Sequence, residues 1–465
     1  MLSLHWPTFA IFAAISTSIL INFHNVQTKP YMDEIFHIPQ AQKYCNGNFT
    51  SWDPMITTLP GLYLITVGLL HPVSVLLSVD LCTTFWLRCV NLFFMCGNFY
   101  LIYLIYRKLH KEDKESDLHA TLTAVNLSLF PVQYFFTFLY YTDPGSTFFV
   151  LLMYLFFLIG NKMIAAVFGV VAVMFRQTNI IWVLFFAGLS KKEVAVEWLK
   201  SEKKDIDLDK SSDSQVYRTM FGLALKTLRH KPKVVLKLAK DSLLLQFWFI
   251  LVLLGFGIFV ILNNGIAVGD RSNHEACLNF PQIFYFLCLT FAFSCMYMLS
   301  PKMFANFIKF SIVKFWLTAI FGLVSWLLIY KFTYVHKYIL SDNRHYTFYV
   351  WSKIYNRHEY VKYALIPFYY YMLWSFIQLL KHKDLFFKHF YAICLLACTV
   401  PQKMMEFRYF IIPYLIFRLN IRTPDKGLLL LELLLHIMVN TATIYLFMYK
   451  PFKWPNSEEY QRFMW

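Results

Sequence analysis

The sequence predicts an all-α polytopic membrane protein, and its composition and apolar runs carry that prediction. Of 465 residues, 58% are hydrophobic and 20% are aromatic, whereas only 15% are charged. An average soluble domain is about 25% charged and less than about 50% apolar, so this apolar surface cannot be buried in one water-facing globule. Helices satisfy their own backbone polar groups and can therefore cross lipid. The composition excludes a disordered chain, a fibrous repeat and an ordinary soluble enzyme.

Apolar runs recur along the whole chain, and together they predict about 12–14 transmembrane helices. The first run is interpreted as a retained signal-anchor span, because it lacks the basic start and the cleavage site of a signal peptide. Several other runs are shorter than the roughly 20 residues that cross a hydrocarbon layer of about 30 Å. The runs cover about 7–23, 60–79, 86–106, 119–139, 146–160, 164–174, 178–190, 243–262, 282–299, 312–330, 361–380, 390–400, 409–419 and 427–449.

A polar break separates two of the short runs. It extends from Arg176 to Asn179 and contains no apolar residue. Non-helical backbone at membrane depth is tolerated where it lines a cavity inside the protein. We therefore expect this break to face a cavity.

The distribution of Lys and Arg predicts the direction of the spans. The chain has 43 Lys and Arg residues against 27 Asp and Glu residues, a formal net charge of +16. Basic loops favour the cytosolic face of a membrane, so we attribute this excess to membrane topology and predict no nucleic-acid partner. The long basic loop 191–240 is placed in the cytosol, and alternation places 24–59 and 332–360 in an organelle lumen. We expect one integral-membrane domain over 1–465.

The nine cysteines lie mostly within apolar runs, where we interpret them, Cys82 among them, as small core residues. Cys45 and Cys277 lie in polar loops and could form a disulfide bond if both loops face an oxidising compartment. The sequence has no metal-ligand spacing such as CxxC or HExxH. No metal or other cofactor is predicted.

An acidic and basic cluster follows the first span, and ionisable groups at a membrane are functional candidates by default. Asp33 and Glu34 are adjacent, so on a helix their side chains point about 100° apart. Asp33 and His37 are four residues apart and would share one helical face. Helix capping by Asp33, with Pro39 ending the helix, explains the same pattern equally well.

Three later segments combine acids and bases on the same predicted side as Asp33. A solvated loop is the alternative explanation for any one of them. Arginine offers a planar, permanently charged fork that suits phosphate. Asp143 either caps a helix that begins at Pro144 or belongs to such a site. The three segments contain Asp270 with Arg271, Asp342 with Arg344 and His345, and Glu406 with Arg408.

From these residues alone we predict a multi-span enzyme or transporter with an acidic and basic site on the lumenal side. A lipid substrate that carries a phosphate would fit, because its head group would meet the arginines while its tail stays in the bilayer. Several longer motifs make the prediction more specific. They are YMDEIFHIPQAQ at 31–42, WDP at 52–54, RQTNI at 176–180, GDRS at 269–272, DNRHYTFY at 342–349 and QRFMW at 461–465.

Together these motifs resemble the endoplasmic-reticulum dolichyl-phosphate-glucose α-1,2-glucosyltransferase family, from about residue 30 to the end of the sequence. The resemblance implies a GT-C fold and an inverting glucosyltransferase, with its site facing the lumen of the endoplasmic reticulum. The donor would be dolichyl-phosphate-glucose. The acceptor would be the two-glucose dolichyl-pyrophosphate-linked oligosaccharide of N-glycan assembly, and membrane lipid would surround the protein.

The resemblance also implies roles for individual residues. Asp33 would be the general base, with Glu34 second, and a raised pKa would suit that role. Arg344 and His345 would hold the donor phosphate, with Arg271 or Arg408 helping, and these fixed cations would replace a metal. His37 would orient Asp33 or the acceptor. The alternative is a multi-span transporter or channel-associated protein, although we see none of the internal repeats typical of transporters. The implied substrate-binding residues are His37, Asp143, Arg176, Asp270, Arg271, Asp342, Arg344, His345 and Arg408.

Overall fold

The structure, a computed structural model, is almost entirely helical and confirms the predicted all-α polytopic class. It describes residues 4–111, 116–202, 207–208, 211–271, 276–335, 340–422, 425–455 and 458–465. The helices are α1 His5–Val26, α2 Glu34–Cys45, α3 Gly61–Leu77, α4 Thr84–Leu109, α5 Ser116–Ser128, α6 Pro131–Phe136, α7 Thr142–Ile159, α8 Lys162–Phe175, α9 Ile180–Ser201, α10 Asp213–His230, α11 Pro232–Leu262, α12 Gln282–Met298, α13 Pro301–Val313, α14 Phe315–Phe332, α15 Tyr346–Tyr349, α16 Val361–Ala364, α17 Ile366–Leu379, α18 Leu385–Thr399, α19 Ile411–Asn420 and α20 Lys426–Tyr449.

Shorter elements complete the described chain. Two 3-10 turns and one π-helical turn connect the longer helices, and two short strands form an antiparallel pair near the end of the sequence. These elements are the 3-10 turns Gln177–Asn179 and Phe407–Phe410, the π-helical turn Val350–Tyr355, and the strands β1 Phe452–Lys453 and β2 Tyr460–Gln461.

Among the described residues, six helices are long and apolar enough to cross a membrane. A seventh span results if α12 and α13, which meet at a bend of 115°, count as one. Each predicted apolar run coincides with one helix or with consecutive helices, and several of these helices are too short to cross lipid unaided. The number of crossings therefore stays a prediction. The six long helices are α1, α4, α7, α11, α14 and α20.

The polar break at residues 176–179 is a short 3-10 turn between α8 and α9. Arg176 has an extended backbone conformation, which ends α8. The side-chain amide of Asn179 donates hydrogen bonds to the carbonyl of Ala172 at 2.7 Å and to the hydroxyl of Ser146 at 2.8 Å. The interrupted backbone is thus bonded within the protein, as its depth requires.

The basic segment 191–240, predicted as a cytosolic loop between spans, is largely helical rather than irregular. It contains the end of α9, all of α10 and the start of α11. Its apolar residues recur at helical spacing, and Val216 and Leu223 pack against Ala195 and Leu199 of α9. A polar composition does not prevent a helix when one face is apolar.

The disulfide bond joins Cys45 to Cys82, with their Cα atoms 6.5 Å apart. Cys277 is a free thiol, so the predicted pairing of Cys45 with Cys277 was wrong, as was the core position of Cys82. The loop before α4 lies against the end of α2, where the side chain of Gln42 donates a hydrogen bond to the Cys82 carbonyl at 3.1 Å. The apolar neighbours of Cys82 in the sequence concealed its position in this loop.

Candidate active site

Asp33 lies at the turn between the first span and α2. The preceding residue, Met32, has φ +55°, a left-handed conformation that is uncommon for a residue with a side chain. The backbone N–H of Asp33 donates a hydrogen bond to the Tyr141 hydroxyl at 3.1 Å. The Asp33 carboxylate makes no helix-capping bond and is 43% exposed, and Pro39 lies inside α2. Helix capping therefore does not explain Asp33, and its carboxylate is free to meet other groups.

Five charged side chains from distant parts of the chain form one carboxylate–arginine cluster. Arg408 lies with one guanidinium nitrogen 3.3 Å from Asp33 and 3.7 Å from Asp143, and with the other 2.8 Å from Glu406. Arg176 pairs with the second oxygen of Asp143 at 3.2 Å. Two arginines thus share one buried carboxylate, and Asp33 is the most exposed of the three acids.

A small cavity of about 30 Å³ lies beside this cluster. The polar break between α8 and α9 contributes to its wall, as the sequence predicted. Polar groups and aromatic rings both line it, a combination typical of small-molecule sites. Besides Asp143, Arg176 and Arg408, the wall includes Ser146, Thr147, Thr178, Asn179, Trp182, Gln402 and Tyr409.

Burial and neighbouring charges shift the pKa of the Asp33 carboxyl in opposite directions. Burial alone would raise the pKa of its carboxyl, but the positive charge of Arg408 and the nearby His37 and His345 hold the pKa below its ordinary value. The raised pKa of Asp33 expected from the sequence was therefore wrong. An opposite charge within about 4–6 Å is sufficient to outweigh burial, so Asp33 is ionised at neutral pH.

His37 lies one helical turn after Asp33, as its spacing predicted. Burial, together with the charges of Arg408 and Arg176, lowers the pKa of His37 to about 4, although the charge of Asp33 opposes this shift. Its Nδ1 forms a hydrogen bond with the Tyr63 hydroxyl. His37 is therefore a neutral, fixed ring at neutral pH.

Glu34 is fully buried and points away from the cluster. Its carboxylate accepts two hydrogen bonds from Arg88, at 2.8 and 2.6 Å, and one each from the backbone N–H groups of Tyr31 and Tyr140. These four bonds occupy both oxygens. The geometry therefore favours Asp33 over Glu34 as the group that meets a substrate.

Arg344, His345 and Asp342 form a second charged group. Arg344 donates two parallel hydrogen bonds to Asp342, at 2.8 and 2.7 Å, and a third to the side chain of Gln461 at 3.1 Å. His345 Nε2 lies 3.8 Å from Asp342, and its Nδ1 bonds the Trp465 main-chain oxygen at 2.9 Å. Arg344 and His345 are therefore both hydrogen-bonded to residues of the segment 460–465.

The segment 460–465 connects this second group to the turn before α2. The N–H of Met464 donates to the Arg344 carbonyl at 2.9 Å, and the N–H of Tyr346 donates to the Met464 carbonyl at 3.1 Å. The Tyr31 hydroxyl accepts from the Arg462 N–H at 2.8 Å and donates to the Arg462 carbonyl at 2.9 Å. These bonds place Arg344 and Asp33 at the same end of the molecule.

Asp270 and Arg271 lie on a neighbouring loop. Arg271 donates to the carbonyls of Asn263, Asn264 and Ala267, and within the described chain none of its hydrogen bonds or ion pairs reaches the cluster. The N–H of Asp270 donates to the Pro54 carbonyl at 2.7 Å. Ser272 of the same motif lies outside the described residues.

Sequence reasoning assigned no role to Tyr141, Gln461 or Arg462. Local patterns carry no signal for them, because the contact of Tyr141 with Asp33 joins residues 108 positions apart and that of Arg462 with Tyr31 joins residues 431 apart. The terminal QRFMW motif was the one available indication. Within the described part of the chain, no group of three or more His, Cys, Asp and Glu side chains could hold a metal ion.

Comparisons with known proteins agree on one family. Residues 27–419 match the model of the DIE2/ALG10 family. A Mus musculus protein named Dol-P-Glc:Glc(2)Man(9)GlcNAc(2)-PP-Dol alpha-1,2-glucosyltransferase is 46% identical over 97% of this chain and 98% of its own length. Proteins of the same name from Arabidopsis thaliana and Drosophila melanogaster are 36% identical (97% of both chains) and 35% identical (93% of both chains). No solved structure matches. The chain belongs to the DIE2/ALG10 family.

Proposed function

We propose that this protein transfers glucose from dolichyl-phosphate-glucose to the two-glucose dolichyl-pyrophosphate-linked oligosaccharide and so forms its terminal α-1,2 bond. The relatives' shared name supports the two substrates and the bond, and the family supports a GT-C type of fold. The observation that carries the proposal is the half-exposed Asp33 carboxylate, which faces Arg408 beside a polar cavity in a multi-span membrane protein.

The proposed chemistry is a single in-line displacement with Asp33 as general base. The acceptor hydroxyl oxygen bonds to C1 of the donor glucose while its proton passes to the Asp33 carboxylate. The bond between C1 and the phosphate oxygen breaks, and its electron pair leaves with dolichyl phosphate. The lowered pKa of Asp33 leaves its carboxylate ionised before the acceptor binds, although it also makes the carboxylate a weaker base than a raised pKa would.

Fixed cations would stabilise the departing phosphate. We place this phosphate near Arg344 and His345, with Arg408 rather than Arg271 as the assisting guanidinium, because Arg408 contacts Asp33 directly. Arg176 and Asp143 line the cavity and would bind sugar hydroxyls. The hydrogen bonds of Arg271 in the described chain go to neighbouring carbonyls and support no such role for it. Asp342 would hold Arg344 in place.

We further propose that the site faces the lumen of the endoplasmic reticulum. The Cys45–Cys82 bond closes the segment that follows Asp33, and disulfide bonds persist in oxidising compartments such as this lumen. The basic residues of α10 lie beyond the opposite ends of the membrane helices, as cytosolic residues do. A continuous hydrophobic core, from Phe12 to Met464, supports a single integral-membrane domain.

The alternative, a multi-span transporter or channel-associated protein, finds no support in the comparisons. The relatives reported above carry the name of a transferase. The charged cluster also lies at the ends of helices and in the turns between them, where a transfer at the membrane surface would occur.

Cells that lack the endogenous activity provide the test. The wild-type chain should restore the three-glucose oligosaccharide, whereas Asp33→Asn should leave the two-glucose form, since a positioned base contributes about 10²–10⁴-fold. Glu193→Gln is the matched control, because Glu193 pairs with Lys162 at the other end of the molecule. Normal three-glucose product from Asp33→Asn would exclude Asp33 as the base.

Purified protein tests the reaction itself. Labelled glucose should pass from dolichyl-phosphate-glucose to the two-glucose acceptor, and the same assay with a chelator reports any need for a divalent metal. Transport of either lipid without a new glycan product would overturn the proposed transfer.

A further inference from the structure

Helix α10, at the end of the molecule opposite the cluster, has three distinct faces. One face packs on the protein: Val216, Leu223 and Thr227 are buried, and the first two contact the core formed with α9. Residues three, four or seven positions apart share one side of a helix. The other two faces are therefore exposed to the surroundings of the protein.

The second face is apolar and exposed. Tyr217, Phe221, Leu225 and Leu228 expose 48%, 67%, 53% and 62% of their surface. They follow one another at spacings of four, four and three residues, which place them in one stripe along the helix. A continuous apolar stripe of this kind is costly to leave in water.

The third face is basic and borders the apolar stripe. Arg218 and Arg229 lie next to the stripe, and Lys226 lies further round the helix. All three are exposed, and among the described residues none of them has an ion-pair partner. The acid of this helix, Asp213, bonds Lys388 at 2.6 Å. The exposed surface of α10 is thus apolar with a positive border.

Contacts with two neighbouring helices determine where α10 lies along the membrane normal. Only Lys231 separates it from α11, a membrane-spanning helix. Asp213 bonds Lys388 and Tyr217 bonds His389, both in the first turns of the apolar helix α18. The other end of α18 leads toward Arg408. Helix α10 therefore lies where α11 and α18 enter the membrane, on the face opposite the active site.

We propose that α10 is an interfacial helix that binds the membrane surface on this face. Its apolar stripe lies among the outer acyl segments, and its basic border contacts anionic lipid head groups. Helices with an apolar face and Lys or Arg beside it bind in this way, and anionic lipids attract basic residues at the surface. The partner is the leaflet that already surrounds α11 and α18, rather than a second protein.

Photocrosslinking of the full-length chain in lipid nanodiscs tests the position of the stripe. Benzoylphenylalanine replaces Leu225 on the apolar stripe or, as the matched control, the exposed Gln215 on the polar side of the helix. In nanodiscs of phosphatidylcholine and phosphatidylserine, Leu225→benzoylphenylalanine should give lipid adducts at several times the yield of the control. Equal yields at both positions, or adducts only to protein, would overturn the proposal.

The contribution of the basic border to lipid binding is tested with the same probe at Leu225. Phosphatidylserine should be enriched in the adducts about twofold over its share of the bilayer, because each basic residue favours anionic lipid. The triple variant Arg218→Glu, Lys226→Glu, Arg229→Glu should bring that share back to the bulk value. An unchanged share in a variant that still elutes as a folded monodisperse protein would contradict the anionic-lipid contact.

Discussion

Asp33 and Glu34 are neighbours in the chain, but their carboxylates have different surroundings. Asp33 is partly exposed and meets Arg408, which belongs to the cavity wall. Glu34 turns inward, where Arg88 and two backbone N–H groups bond it. Adjacent residues at the start of a helix point about 100° apart, so one can react while the other holds the turn in place.

Glu34→Gln should lower stability without a direct chemical defect. It leaves the buried guanidinium of Arg88 without its counter-charge, a change that costs about 3–5 kcal/mol. We expect a lower apparent melting temperature of the purified protein in detergent. Asp33→Asn is the matched control and should melt near the wild type while losing transfer. Equal melting temperatures for Glu34→Gln and the wild type would contradict the anchoring role.

The Arg408 charge should also set the pH dependence of transfer. Because Arg408 holds the pKa of Asp33 below its ordinary value, Asp33, the proposed base, stays ionised from neutral pH down into the acid range. The kcat/KM of the wild type should therefore show no ionisation of Asp33 or His37 between about pH 6 and 8. In Arg408→Gln burial acts unopposed by this guanidinium, so the acid limb should move to higher pH. An acid limb at the same pH in both proteins would show that Asp33 is not the group observed.

The segment 460–465 is the element that joins the parts of the site. Its backbone pairs with residues 344–346, and Arg462 bonds Tyr31 and also donates to the Gln27 side chain at 3.0 Å. Several side chains from three parts of the chain are therefore positioned by this one short segment.

Arg462→Ala should reduce transfer by about 10–100-fold, because a displacement of about 1 Å at a reacting group can cost about 100-fold. Arg462→Lys should rescue only part of the loss, since lysine lacks the planar fork. The measurement is kcat and KM for the donor, with the melting temperature recorded beside it. Full activity of Arg462→Ala would show that this segment does not position the site.

The Cys45–Cys82 bond stabilises the loop region after Asp33. Removal of a disulfide bond costs typically about 2–4 kcal/mol. The double variant Cys45→Ser, Cys82→Ser should therefore melt at a lower temperature than the wild type under non-reducing conditions. Cys277→Ser changes a free thiol and should melt like the wild type. Equal loss of stability in the two variants would contradict the assigned pairing.

At the scale of the whole molecule, the two ends of the helix bundle differ in chemistry. One end carries the carboxylate–arginine cluster and the disulfide bond, and the other carries α10 with its basic border. In sealed microsomes, an impermeant maleimide should label Gln215→Cys directly and the exposed Met55→Cys only after permeabilisation. Labelling in the reverse order would place the cluster on the cytosolic side.

The sequence predicted those parts of the molecule that depend on local patterns. The apolar runs predicted the positions of the helices, and the polar break at 176–179 predicted one part of the cavity wall. The pairing of Asp33 with Arg408 required the whole fold, because 375 residues separate them. The same reason explains the wrong partner for Cys45 and the wrong direction of the Asp33 pKa shift, since neither depends on neighbouring residues in the chain.

The hydrogen bonds between Tyr31 and Arg462 also have a consequence for biogenesis. Ribosomes add about 5–20 residues per second, so roughly 20–90 s separate the synthesis of these two partners, which lie 431 positions apart. During that interval every intervening helix must insert into the bilayer. A nascent chain stalled or cleaved before residue 460 would therefore hold most of its membrane helices yet remain inactive, and activity would report completed assembly.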